Sequence, residues 1–141
     1  MAQFTAQAQV VPINEAVIFD GNAEGISPNV VAHEAGTGVF VLRRSGCDCM
    51  PARYVVHVNA VFTTTTADTP IQMALAVNGT IVPATLMSVV PDAVGDVVSQ
   101  GTVLEIKAGT TNAMVSLVAV SANVPVTRAL MVISKEGGVF A

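Results

Sequence analysis

Residues 52–83 decide the fold of this chain, and they read ARYVVHVNAVFTTTTADTPIQMALAVNGTIVP. Every second residue of 54–62 is apolar, and a period of two is that of a strand with one buried face. Residues 71–77 alternate in the same way. Asn78-Gly79 follows between two apolar runs, and this pair favours a type I′ hairpin because both central residues need a positive φ. The stretch therefore predicts an antiparallel sheet at the centre of the protein.

The rest of the chain is predicted to consist of short strands. Runs rich in β-branched residues alternate with turns of Gly, Asn, Asp and Pro about every eight to twelve residues, a spacing typical of β-sandwiches. No long segment repeats apolar residues at i, i+3, i+4 and i+7, so helices are not expected. The sequence predicts an all-β protein of about ten antiparallel strands. These strands fall at residues 10–20, 30–33, 39–42, 52–62, 71–77, 80–88, 96–100, 102–107, 113–120 and 127–135.

The composition is poor in charge. Of the 141 residues, 52% are apolar and 11% are charged, whereas about a quarter of the residues in an average domain are charged. A single domain of this length has a large surface relative to its core, so this composition leaves apolar side chains on that surface. We therefore expect the chain to bury part of its surface against copies of itself or against another protein.

The charge pattern argues against nucleic acid and membranes as partners. The net charge is −4, and the six basic residues are scattered apart from the pair Arg43-Arg44. A nucleic-acid surface needs clustered Lys and Arg to neutralise phosphates. The N-terminal stretch lacks the basic and apolar regions of a secretory signal, and no apolar run reaches the length of a membrane span.

Candidate catalytic and metal-binding residues are few. His33 and His57 are the only histidines, and neither has a second histidine at the spacing of a metal site. Cys47 and Cys49 lie in a predicted loop, where we expect free thiols, the alternative being half of an intersubunit metal or disulfide cluster. No nucleophile elbow, phosphate-binding loop or dinucleotide fingerprint occurs. The sequence thus predicts no enzyme activity, no metal and no cofactor.

A set of short motifs occurs in a fixed order along the chain. They are Val17-Ile18-Phe19, GTGVFVL at 36–42, YVVHVN at 54–59, LAVNG at 75–79 followed by Val82-Pro83, Ala108-Gly109-Thr110, and Ile133-Ser134-Lys135. In this order they resemble the jelly-roll domain of the tumour-necrosis-factor and complement-globular-head superfamily. The resemblance is closer still to the short bacterial and phage versions of that domain, and it covers roughly residues 10 to 136.

The resemblance implies a homotrimer in which three sandwiches pack around an axis through one apolar sheet face. Residues 1–9 are then an N-terminal arm, residues 10–136 the jelly-roll domain and residues 137–141 a C-terminal tail. The residues predicted to form the trimer interface are Tyr54, Val55, Val61, Met114 and Leu130. Those predicted to dock onto a larger assembly are Phe4 in the arm and Val139 and Phe140 in the tail.

The leading functional hypothesis is a viral structural protein. It is a trimeric phage capsid decoration or head-fibre subunit on the virion surface, whose partners are its own copies and a capsid or other virion protein. The alternative is a bacterial or phage surface module, on a bacterial cell, a spore or a phage tip, that recognises a host glycan or protein receptor. The chain has five Phe, one Tyr and no Trp, which is few for a sugar-stacking platform.

Overall fold

The computed structural model describes residues 2–20, 30–34, 36–46, 49–63, 70–121 and 123–136. In these residues the chain forms eleven strands and one short 3₁₀ turn. The strands are β1 Ala2–Ala6, β2 Gln9–Val11, β3 Val31–His33, β4 Phe40–Leu42, β5 Ala52–Thr63, β6 Ile71–Val77, β7 Thr80–Ile81, β8 Met87–Val89, β9 Val97–Ala108, β10 Ala113–Ala119 and β11 Val124–Glu136, and the turn is Pro83–Thr85. None of the described residues forms a helix that is long and apolar enough to cross a membrane.

The strands form two antiparallel sheets that face each other across one apolar core. The five-stranded sheet has the order β1-β11-β5-β9, and β2 also pairs with β11. The six-stranded sheet has the order β3-β4-β10-β6-β7, and β8 also pairs with β6. Every pairing between these strands is antiparallel. The predicted all-β antiparallel sandwich is therefore confirmed.

The stretch that predicts the fold supplies the long central strands of both sheets. On β5, Tyr54, Val58 and Phe62 belong to the buried set, and every second side chain points into the core, as the alternation predicts. Asn78 and Gly79 connect β6 to β7 with φ of 52° and 82°, the positive values that a type I′ hairpin requires. These two predictions are confirmed.

Several predicted strands differ from the structure. The strand predicted at 10–20 is regular only over Gln9–Val11, which is β2, and isolated bridges at Ala16 and Phe19 follow it. The hairpin arm predicted at 80–88 is divided into β7 and β8 by the 3₁₀ turn that begins at Pro83, because proline has no backbone N–H to donate to a neighbouring strand. The strands predicted at 96–100 and 102–107 are one continuous strand, β9. β9 pairs with β5 over its whole length, and Gly101 lies within it opposite Asn59, so pairing with β5 carries the strand through the glycine.

The side chain of Thr85 fills the gap between β7 and β8. β7 pairs with residues 76–77 and β8 with residues 71–73, so Leu75 lies between these two pairings. The backbone N–H of Leu75 donates to Thr85 Oγ1 at 2.9 Å, and Thr85 Oγ1 donates to the carbonyl of Val82 at 2.7 Å. Thr85 is buried, so its hydroxyl takes the place of a strand partner for this part of β6.

Thr85→Val is expected to destabilise the protein by about 1–3 kcal/mol, because it leaves the buried N–H of Leu75 without an acceptor. Urea denaturation followed by circular dichroism measures the change. Thr80→Val is the matched control, since Thr80 is an exposed residue of β7 and the same substitution there removes no buried acceptor. An equal effect at both positions would contradict the role assigned to the Thr85 hydroxyl.

The N-terminal segment, predicted as a docking arm over residues 1–9, is part of the sandwich over Ala2–Ala6. β1 pairs with residues 129–133 of β11, and Phe4 is 0% exposed. The ring of Phe4 makes edge contacts with Phe40 at a centroid distance of 4.5 Å and with His33 at 5.1 Å. The segment enters the core because Phe4 alternates with the polar residues Gln3 and Thr5. In a strand this alternation puts the apolar ring on one face and the polar side chains on the other.

Tyr54, predicted at the trimer interface, lies in the core of its own subunit instead. Its side chain is 0% exposed, because it stands on the inner face of β5. The phenolic hydroxyl donates to the carbonyl of Arg43 at 2.7 Å and lies 3.2 Å from the carbonyl of Val30. The tyrosine thus ties β5 to the residues that flank β3 and β4 in the opposite sheet.

Burial raises the pKa of the Tyr54 hydroxyl above its ordinary value, although the hydrogen bond to Arg43 and the charge of Arg43 oppose that rise. The folded state therefore favours the neutral phenol, and this contribution to stability is present below about pH 10 and is lost as the pH rises through the folded-state pKa. Tyr54→Phe should destabilise the protein by about 1–2 kcal/mol at neutral pH and should lose this alkaline dependence.

Ultraviolet absorbance of tyrosinate measures that titration directly, because Tyr54 is the only tyrosine in the chain. The folded protein should form tyrosinate at a higher pH than the protein unfolded in urea does. Coincident titration curves in the two states would contradict the stated effect of burial.

Candidate functional site

The outer surface of the five-stranded sheet is the candidate site. We call it the open face and define it by eight outward-facing residues in the middle of β5, β9 and β11, which are Val55, His57, Asn59, Val61, Gly101, Val103, Leu130 and Val132. Strand pairing aligns these residues in rows, because directly opposed residues of neighbouring strands lie on the same face. One row is Val103, His57 and Val132, and the next is Gly101, Asn59 and Leu130.

In the single subunit, the open face exposes apolar side chains to water. Val103 is 56% exposed and Leu130 is 37% exposed, while Val55, Val61 and Val132 are partly buried. Isolated exposed apolar residues are ordinary, but a contiguous patch of them marks a surface that contacts another molecule. The alternation of each strand therefore buries one face in the core and leaves an outer face on which valines and Leu130 alternate with His57 and Asn59.

A shallow hollow of about 310 Å³ lies in the middle of the open face. It is lined by His57, Asn59, Gly101, Val103, Leu130 and Val132, with contributions from Val58 and Thr102. Gly101 keeps the hollow open, because a Cβ at this position would lie 3.2 Å from the carbonyl oxygen of Val58 and 3.8 Å from Asn59 Nδ2. Asn59 Oδ1 accepts a hydrogen bond from Ser99 Oγ at 3.1 Å, which fixes the amide beside the hollow.

Charged residues stand at the ends of the face and leave its two central rows free of full charges. At one end, Arg53 lies opposite Lys107 on β9 and opposite Glu136 on β11, and Glu105 lies opposite Val55. At the other end, Arg128 lies opposite Val61. The two central rows carry two polar side chains, His57 and Asn59.

The structure separates the residues predicted for the trimer interface. It brings Val55, Val61 and Leu130 together on the open face and adds Val103 and Val132, which sequence reasoning missed. Met114 is 49% exposed, but it points outward from β10 in the six-stranded sheet. It therefore cannot share a flat contact with the other three, and Tyr54 is removed from the set because it is in the core.

Of the residues predicted for docking, Phe4 lies in the core, and Val139 and Phe140 lie outside the described residues. Cys49 is disulfide-bonded, so the prediction of free thiols is wrong at this position. Cys49 lies in a turn between β4 and β5, in the region predicted as a loop. Cys47, the other cysteine of the sequence, lies outside the described residues.

The described residues contain no group of three or more His, Cys, Asp and Glu side chains that could hold a metal ion. His33 packs against aromatic rings: it stacks on Phe40 at a centroid distance of 4.3 Å, and its Nε2 lies 3.0 Å from the carbonyl oxygen of Thr37. His57 lies on the open face between two valines. The two histidines are thus on different sheets, and each has apolar neighbours.

Comparison with known proteins supports the fold. No protein-family model matches the sequence, and no curated protein matches it either. The structure is similar to the globular domain of zebrafish complement 1qA protein, with a TM-score of 0.56, 15% identity, and coverage of 95% of this chain and 96% of that chain. It is also similar to murine APRIL, with a TM-score of 0.54, 11% identity, and coverage of 94% of this chain and 98% of that chain.

Rabbit GITRL gives a TM-score of 0.52 at 12% identity, covering 96% of this chain and 93% of that chain. The fold is a jelly roll of the tumour-necrosis-factor and C1q type. The predicted fold is thereby confirmed, and the open face is the outer surface of one of the two sheets of this jelly roll. At such low identity the similarity establishes the fold alone, so function is argued from the surface of this chain.

Proposed function

We propose that this chain is a non-enzymatic structural subunit that forms a homotrimer through the open face and is displayed on a virion, as a phage capsid decoration or head-fibre subunit. The observation that carries the proposal is the group of apolar side chains Val103, Leu130 and Val132 on the outer surface of the sandwich. Burying apolar surface contributes roughly 25 cal/mol per Å², so copies that meet through this surface are stabilised without any further element.

Assembly around a threefold axis suits a face of this kind. A closed ring uses the same surface on every subunit and leaves no copy with an uncovered contact. The uncharged central rows of the open face suit the middle of an interface, and the charged ends suit its rim, since charged residues are depleted at interface cores. The resemblance given above implies the same homotrimeric state.

The virion assignment rests on the resemblance to the short phage and bacterial jelly rolls and on the surface chemistry. A displayed subunit needs a stable fold, contacts with its own copies and a docking contact with a capsid or other virion protein. Phe4 is no longer a docking candidate because it is a core residue. Val139 and Phe140 in the tail, residues 137–141, remain the proposed docking residues.

The alternative is a surface-binding module, on a bacterial cell, a spore or a phage tip, that recognises a host glycan or protein receptor. Protein sites for sugars commonly use exposed aromatic rings. In the described part of the chain the aromatic residues Phe4, Phe19, Phe40, Tyr54 and Phe62 are all in the core. This placement favours the structural role over glycan recognition.

Native mass spectrometry tests the oligomer, and the expected species has three times the 14.4 kDa mass of the chain. A monomer that persists at micromolar concentration would contradict the proposal. Immunogold electron microscopy of purified phage particles, with an antibody against this chain, tests the display. Gold on the capsid is expected for a virion protein, whereas gold confined to the bacterial or spore surface would support the alternative.

A further inference from the structure

We propose that assembly through the open face is controlled by protonation of His57, so that the subunits associate at neutral pH and separate in mild acid. This inference rests on the proposed trimer and adds a regulation to it. Histidine is the side chain that changes charge between about pH 5 and 8. One histidine in the middle of a self-association surface can therefore make the association depend on pH.

The position of His57 carries the proposal. Its direct cross-strand neighbours are Val103 on β9 and Val132 on β11. Along β5, the outward neighbours are Val55 and Asn59. The imidazole thus lies at the centre of the apolar surface and lines its hollow. In the single subunit the side chain is exposed, so water solvates both of its protonation states.

The charged groups around His57 lie in the next rows of the face. Glu105 on β9 lies opposite Val55 and is therefore a diagonal neighbour of His57, at a spacing that long side chains can span. The cations Arg53 and Lys107 occupy the row beyond it, facing each other, and Glu136 lies opposite Arg53 on β11. On the other side, β11 offers Arg128 opposite Val61. The outward residues of β1, Gln3 and Thr5, carry no charge.

The direction of the effect follows from this environment. When a second copy covers the open face, a neutral imidazole is buried among valines at small cost, whereas an imidazolium loses its hydration. A pair with Glu105 does not remove this cost, because covering the pair takes both charges out of water. The separate subunit takes up the proton and the trimer excludes it. Association that releases one proton per subunit weakens by about tenfold per subunit for each pH unit of acidification, and three copies give up to about a thousandfold.

Sedimentation velocity of the full chain between pH 8 and pH 5 tests this control, with His57→Gln as the variant that removes the titrating group and keeps a polar side chain. We expect the wild type to be a trimer at pH 8 and a folded monomer at pH 5, and the variant to remain a trimer throughout. Glu105→Gln is the companion variant, because it removes the diagonal carboxylate that could pair with the imidazolium, and its trimer should dissociate at the same pH as the wild type or at a higher one.

The outcomes separate the two proposals. A wild-type trimer that persists at pH 5, or a His57→Gln variant that dissociates or unfolds at the same pH as the wild type, would overturn the role of His57 and leave the trimer standing. Monomers at pH 8 in both proteins would overturn the trimer and the regulation together. Circular dichroism at each pH identifies whether the separated chains are folded.

Discussion

Leu130→Glu should convert the assembled protein into folded monomers, whereas Met114→Glu should leave the assembly intact. Both side chains are exposed apolar residues in the subunit, at 37% and 49%, but Leu130 lies on the open face and Met114 on the other sheet. A carboxylate forced into the apolar contact loses its hydration without a partner, which costs several kcal/mol and weakens association by about a hundredfold or more.

Size-exclusion chromatography with light scattering measures the outcome at equal protein concentration. Because both substitutions are at exposed positions, both variants should unfold within a few degrees of the wild type, and this thermal comparison is the control for folding. Dissociation of Met114→Glu with an intact Leu130→Glu assembly would mean that the six-stranded sheet, and not the open face, forms the contact.

Phe4→Ala should destabilise the subunit by about 3–5 kcal/mol, because it removes a fully buried ring and leaves a cavity between the sheets. The ring lies at 4.5 Å from Phe40 and 5.1 Å from His33 in edge geometry, and these contacts add to the loss of buried area. Chemical denaturation of the wild type and of Phe4→Ala at pH 8 measures the free energy of unfolding. Because the wild type is expected to be assembled at this pH, the measurement is repeated at several protein concentrations to separate folding from association.

Thr5→Ala is the control for this substitution, since Thr5 is the neighbouring residue of β1 and is exposed. We expect it to change the free energy of unfolding by less than about 0.5 kcal/mol. Similar small effects at Phe4 and Thr5 would mean that the N-terminal segment is a detachable arm after all, and that β1 contributes little to the core.

Local sequence signals predict the parts of this fold that are decided locally. The alternation along β5 identifies its buried face because strand geometry has a period of two, and Asn78-Gly79 predicts its turn because few residue pairs accept two positive φ angles. Pairing across the sandwich is decided by distant residues and is harder to predict. In the sequence, Gly101 indicates a break between two strands. In the structure, β5 pairs with the residues on both sides of the glycine, so the strand is continuous.

The candidate site was only partly predictable for the same reason. Alternation along β5 places Val55 and Val61 on its outward face, because Tyr54 and the other buried residues occupy the inward face. It does not tell which strands lie beside β5, so Val103 and Val132 were missed and Met114 was included wrongly. The N-terminal segment was misjudged because a strand of five residues with one large apolar side chain carries little periodicity of its own.

The interrupted border of the six-stranded sheet limits how this protein can aggregate. A fibril that grows by strand addition needs an unbroken row of backbone donors and acceptors at the sheet edge. Beside β6, that row is cut into a pair of residues, a kink at Pro83 and a triplet, and a threonine hydroxyl occupies the space where an incoming strand would bind. This border therefore offers an incoming strand only short, separated stretches of backbone to pair with.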